Sequence, residues 1–367
     1  MAARLVVTVG TRKGLFVLEG SAKGRTFALR GPFFPGLAIN ATLIDRRGAP
    51  RLVAAPSSTW FGCSIRVSSD LGRKWKQAPA APAFAKDDPN GRTLKQIWSL
   101  AEGPGKRDWF CGVEPAALYH SDDGGKGWQP VAAFNDHPHA KTWMPGFGGL
   151  CLHTILPLPD AFHVALSTGG HYCSRDGRTS FAPENKGVDA HFNPDRNPEF
   201  GQCVHKIAAH PSRPQRLFMQ NHGGAEDRQD LSVLRSDDGG RTWTSIAKGL
   251  PTDFGFPIVV HPQRPDTVYV APLETKMRTC PDGKPTIWRS DDAGASWQPL
   301  RKGLPKKEAW YTILRDAMSA DDGNEASIWF GTTTGQLWRG RDGGEQWEPV
   351  AANLPPILSV RAALVEA

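Results

Sequence analysis

One octet recurs along this chain and constrains its fold more than any other feature. The clearest copy is Ser236-Asp237-Asp238-Gly239-Gly240-Arg241-Thr242-Trp243, a Ser-x-Asp-x-Gly-x-Thr-Trp pattern. Strong copies lie at Ser68-x-Asp70-x-Gly72-x-x-Trp75, Ser121-x-Asp123-x-Gly125-x-x-Trp128 and Ser290-x-Asp292-x-Gly294-x-Ser296-Trp297. Asp342-x-Gly344-x-x-Trp347 has Gly340 in place of Ser. Ser174-x-Asp176 is degenerate, with Arg178 replacing Gly and Phe181 replacing Trp, and Gly24-Arg25-Thr26-Phe27 is a relic. The copies begin near positions 20, 68, 121, 174, 236, 290 and 340. Asp-Gly and Gly-Gly pairs supply the positive φ that tight hairpins need. The Asp carboxylate can cap the turn's own N–H groups, and the Trp opens the outgoing strand with its indole N–H free for a carbonyl.

The octet resembles the Asp-box, or bacterial neuraminidase repeat. That resemblance covers nearly the whole chain. It implies that each box joins the third and fourth strands of a propeller blade, on the face away from any active site. The expected fold is therefore all-β: a seven-bladed β-propeller of four-stranded antiparallel blades in one domain, 1–367. Blades are expected near 38–80, 94–133, 150–184, 203–248, 256–301 and 310–352. The seventh combines 1–32 with 357–364. Only two strands, Arg4–Gly10 and Gly14–Glu19, precede the relic box, and Ile357–Leu364 is left over after the last box. Placing Ile357–Leu364 as the innermost strand of the N-terminal blade closes the ring and leaves no free edge. Six blades is the alternative if the relic at Gly20–Phe27 is not a blade. Relatives implied by the resemblance include sialidases, other glycoside hydrolases, sortilin-type receptors and a photosystem II assembly factor, so it does not choose between enzyme and scaffold.

Several function classes are disfavoured. The formal net charge is +7, but basic residues are scattered rather than striped, so no nucleic-acid partner is expected. No apolar run approaches the ~20 residues of a membrane span. Met1–Gly10 reads as a strand rather than a signal peptide, so a cytoplasmic location is expected. The six cysteines are widely spaced and read as reduced thiols. There is no P-loop, dinucleotide fingerprint or serine elbow. Oligomeric state is left open.

Histidine points to a site. Nine of the eleven lie between His137 and His222, where the longest connections also fall: Asn135–Gly149, Glu184–Gln202 and Asn221–Asp230. Aligning inner strands gives a column of Asn40, Gln96, His153, His205, Phe256 and Tyr311. The turns between second and third strands add Glu114, His171, His222 and Glu274, with Arg12 and Lys13 in the first blade. Imidazoles converging from separate blades suit Zn, Mn, Fe or Cu, which would polarise a substrate or activate water. The candidate metal ligands are His153, His205 and His222. Candidate catalytic residues are Glu114, His171 and Tyr311, and candidate substrate contacts are Gln96, Trp143, Arg12 and Trp60. The blander alternative has these histidines bonding one another and channel water. Cys151 and Cys203 are expected to pack within blades.

The expected activity is a hydrolase or lyase acting on a small molecule, carbohydrate or anionic. The sialidase resemblance would bring an Arg triad, a Tyr nucleophile with a Glu partner, an Asp acid/base and an early F/Y-R-I-P motif. That motif is absent. Arg12, Arg315 and Arg361 could face a channel, but nothing fixes their geometry. The alternative is a non-catalytic binding or assembly scaffold using Trp60, Trp143 and Trp310.

Overall fold

The computed structural model describes residues 3–21, 23–223 and 230–366. Seven antiparallel sheets, each with a four-strand path, follow one another around a ring. Blade 1 runs Ile357–Val365, Arg4–Thr11, Gly14–Ser21 and Phe27–Phe33 from inside to outside. The inner strands of blades 2 to 7 are Ala38–Asp45, Gln96–Glu102, Leu152–Pro157, Val204–Ala209, Gly255–His261 and Met318–Ala320. Blade 2 carries an extra two-residue strand, Gly62–Cys63, on its second strand. Core side chains fill the wedges between adjacent blades, as where Phe110 of blade 3 meets Leu152 and Phe162 of blade 4.

The ring closes at the expected seam. Arg4 pairs with Val365, Leu5 with Leu364 and Val6 with Ala363. The relic box spans the turn between the third and fourth strands of blade 1, with residue 22 outside the described residues, so the count is seven. The connection Asn221–Asp230 lies largely outside the described residues as well.

The boxes behave as their chemistry dictates. Asp238 Oδ1 accepts from Ser236 Oγ at 2.7 Å and from the Thr242 N–H at 2.9 Å, while Gly240 N–H donates to Ser236 Oγ at 2.8 Å. Burial alone would raise the Asp238 carboxyl, but these bonds hold it down at about 2. The box Trp also staples its blade to the one before. Trp243 Nε1 donates to the Glu184 carbonyl of blade 4 at 3.1 Å, and Trp297 Nε1 to the Ile246 carbonyl of blade 5 at 2.7 Å. In the degenerate box, Arg178 occupies a left-handed conformation with φ of 73°. Such a residue costs on the order of 1 kcal/mol or more. Its guanidinium offsets part of this by lying over the Phe110 and Phe162 rings, 5.1 and 5.6 Å from their centroids.

Candidate active site at the channel mouth

The face opposite the boxes holds a cavity of about 1180 Å³ at the ring centre. Its walls come from inner-strand starts, from turns between second and third strands and from blade-to-blade connections.

One wall carries a donor cluster. Cys203, His205 and His222 each place one potential metal-ligating atom within 4.8 Å of the others. His205 Nδ1 lies 2.5 Å from the Gly255 carbonyl, which can only accept, so Nδ1 carries the proton. The Nε2 lone pair therefore faces His222 Nδ1, 3.2 Å away. A metal-binding imidazole is commonly oriented in this way, with its other nitrogen donating to a backbone carbonyl. Burial pushes His205 well below its ordinary value, and the neighbouring Arg315 and His222 push the same way. Burial, then His191 and Arg278, bring His222 to about 4. Both imidazoles are neutral at pH 7 and offer lone pairs. Burial raises the Cys203 thiol, which a bound metal would have to deprotonate. Tetrahedral Zn with Zn–N of ~2.1 Å and Zn–S of ~2.3 Å needs ligands about 3.5 Å apart, so the cluster fits after about 1 Å of tightening.

The facing walls carry other functional groups. Glu114 Oε2 accepts from Trp98 Nε1 at 2.9 Å, and Gln96 is its cross-strand partner. Both line the cavity, as does Arg12. Asp316 and Arg315 line it too. Asp316 Oδ1 receives both Lys206 Nζ and Arg361 Nη2 at 2.7 Å, joining blades 5 and 1 to the connection that leads into blade 7. Two cations keep this buried carboxyl below its usual range despite a desolvation cost that would raise it.

Other expected site residues lie elsewhere. His153 is buried with both nitrogens engaged, Nδ1 with Thr154 Oγ1 and Nε2 with the Val204 carbonyl, each at 2.9 Å. It straps blade 4 to blade 5 and has no lone pair for a metal. His171 falls inside the third strand of blade 4, Gly170–Ser174, rather than in the turn. Its Nε2 meets His163 Nδ1 and its Nδ1 meets the Glu184 carbonyl, both at 3.0 Å, beneath the box glycine Gly240. Tyr311 is half-buried against Trp338 and does not line the cavity, because the inner strand of blade 7 starts later, at Met318. Leu314, Arg315 and Asp316 take that place. Trp143 is buried, its Nε1 donating to Tyr172 Oη at 2.9 Å, and its neighbour Met144 reaches the rim instead. Trp60 stands 90% exposed at a hairpin tip outside the cavity.

Sequence reasoning missed Cys203, Lys206, Arg278 and Asp316. Cys203 was expected to pack away from His205, yet residues two apart along extended chain share a side. Cys203 and His205 accordingly line the same wall.

No protein-family model matches the chain, and no curated protein is similar to it in sequence. Solved structures do resemble it. A GH74 enzyme of Niastella koreensis superposes with a TM-score of 0.61 at 15% identity, covering 93% of this chain and 51% of that one. The chain thus spans about half the length of that enzyme. Apo AztD from Citrobacter koseri gives 0.58 at 12% identity, covering 100% of each chain. YCF48 from Cyanidioschyzon merolae gives 0.53 at 11%, covering 85% and 84%. The likeness is one of fold: the seven-bladed propeller. No helix among the described residues is long and apolar enough to cross a membrane.

Proposed function

We propose that this propeller is a metal-dependent hydrolase or lyase acting on a small molecule, carbohydrate or anionic, in the central cavity. Cys203, His205 and His222 hold a divalent metal, Zn, Mn, Fe or Cu. Three protein ligands leave a position open for water or substrate, and a metal there would supply a Lewis acid or an activated water. Glu114, oriented by Trp98 and lining the same cavity, is the proton-accepting group. Gln96 and Arg12 contact the substrate. The observation carrying this reading is the donor cluster with its anchored His205 tautomer. The GH74 neighbour supports hydrolysis as a class only through its shared fold. All six cysteines are free, which supports the reducing, cytoplasmic location expected.

A binding or assembly scaffold is the second reading. It is favoured by Phe147, 100% exposed at the cavity rim, and by Trp60 and Phe61, 90% and 85% exposed at a hairpin tip.

The test is metal analysis of untagged protein, followed by cobalt titration of the metal-free form. Near-stoichiometric metal and a thiolate-to-cobalt charge-transfer band, both lost in Cys203→Ser and His222→Ala, are expected. Folded protein that binds no metal under these conditions would sink the metal site and leave the scaffold reading.

A further inference from the structure

Arg315 is oddly placed for a guanidinium. It extends from the connection before blade 7 to the far side of the channel. There it lies over the Trp98 ring of blade 3, 5.4 Å from the centroid, with Nη1 3.8 Å from Cys151 Sγ of blade 4. Its Nε is buried with no hydrogen-bond partner. Neither Arg315 nor Arg12 nor Arg278 forms an ion pair with a carboxylate among the described residues. All three line the cavity.

A guanidinium cannot shed its charge by deprotonation. Arg12 and Arg278 are exposed and solvated, whereas Arg315 is half-buried, and a guanidinium withdrawn from water gains from an anion. The cavity's own carboxylates do not meet that need. Asp316 spends Oδ1 on Lys206 and Arg361 and keeps Oδ2 buried without a hydrogen-bond partner, but neither oxygen pairs with Arg315, and Glu114 is engaged by Trp98 with Lys95 Nζ 4.0 Å away. A second orphan points the same way: Asn40, only 8% exposed, lines the cavity with its Nδ2 buried and unpaired. An N–H donor left without an acceptor asks for an oxygen.

We propose that the cavity floor binds the oxyanion of its ligand, a carboxylate or a phosphate, on Arg315, with Arg278 at the rim beside His222. The inference rests on the cavity being the substrate site, and not on its holding a metal. A guanidinium presents parallel N–H donors that match two oxygens of one anion, a geometry an ammonium cannot reproduce. An anion so held shares the cavity with Cys203, His205 and His222.

The experiment uses the full chain freed of metal by chelation, so that its result is independent of the metal reading. Thermal midpoint and calorimetric titration are followed with inorganic phosphate, and separately with acetate and succinate. Saturable binding by wild-type protein is expected, weakened at least tenfold in Arg315→Gln and less in Arg278→Gln. Arg315→Lys, which keeps the charge and is the less disruptive change, should fall between wild type and Arg315→Gln. Tighter phosphate binding assigns a phosphorylated ligand, and tighter carboxylate binding a carboxylated one. No saturable binding of either anion, or binding unaltered in a folded Arg315→Gln protein, would overturn the proposal. Cobalt titration of the same Arg315→Gln protein should be unimpaired, which separates a failed anion site from a failed metal site.

Discussion

The ion network beneath the cavity allows a quantitative prediction. Asp316 and Lys206 are 5% and 16% exposed at their side chains, and Arg361 is 32% exposed. Replacing Asp316 by Leu strands the Lys206 ammonium in the channel, whereas Arg361 can turn toward water. Breaking one side of a buried ion pair typically costs about 3–5 kcal/mol, while replacing both partners by apolar groups is often near neutral. Unfolding entropy of ~2.1 cal/mol/K per residue, over a chain of 367 residues, gives roughly 0.8 kcal/mol per degree. Asp316→Leu should therefore lower the melting temperature by about 4–6 °C. Lys206→Met/Asp316→Leu should recover most of that loss. Scanning calorimetry at pH 7.5, with rescans to establish reversibility, measures both. The carboxyl is held below its unfolded value, so its contribution is complete above about pH 4 and fades as pH falls further. The cost of Asp316→Leu should shrink correspondingly below that pH. A single-mutant shift under ~1 °C, or a double mutant as unstable as the sum of the singles, would refute the reasoning.

Four further outcomes are expected. His171, buried and neutral with its value brought to about 4, binds a proton more readily when unfolded, so stability should be complete above about pH 6.5 and decline as pH falls toward 4; His171→Asn should flatten the slope of melting temperature against pH across that window. Gly240→Ala would place a Cβ 2.8 Å from His171 Cε1 at a φ of 91°, so it should cost about 2–3 kcal/mol. Gly177→Ala, at φ of 74° with open space around it, should cost about 1 kcal/mol in the same denaturation assay. Trp243→Phe, which loses the indole bond to Glu184, should destabilise by about 1 kcal/mol in urea titrations and leave metal and phosphate binding unchanged.

The fold was legible because the boxes are local. Ser, Asp and Gly within one octet determine one turn, and each turn marks the third and fourth strands of a blade. The closing strand followed from counting what remained. The site was legible only where inner-strand register is regular. The pairing of Leu152–Pro157 shifts between Leu152 and Thr154, and that of Val204–Ala209 between Val204 and Lys206. Both histidines sit at the same kind of register shift, so their side-chain partners rather than the register separate them. His153 and His205 looked equivalent in sequence and both reach the next blade's backbone. His153 spends its second nitrogen on Thr154, whereas His205 turns its second nitrogen toward His222. In blade 7 the inner strand starts seven residues beyond Tyr311, and no local motif announces that offset. Arg315 and Asp316 take on meaning through partners distant in sequence, among them Cys151 and Lys206, each more than a hundred residues away.

The seam in blade 1 also dictates an order of events during synthesis. Arg4–Thr11 leaves the ribosome long before its inner partner Ile357–Val365. At about 5–20 residues per second, the interval is on the order of 20–70 s. Throughout it, a strand carrying Val6, Val7 and Val9 has one edge without its native partner. Such an edge can pair with another nascent chain. Crowded polysomes should therefore favour aggregation of this protein, and holding factors that cover the first strand should raise its soluble yield more than factors acting on the finished ring.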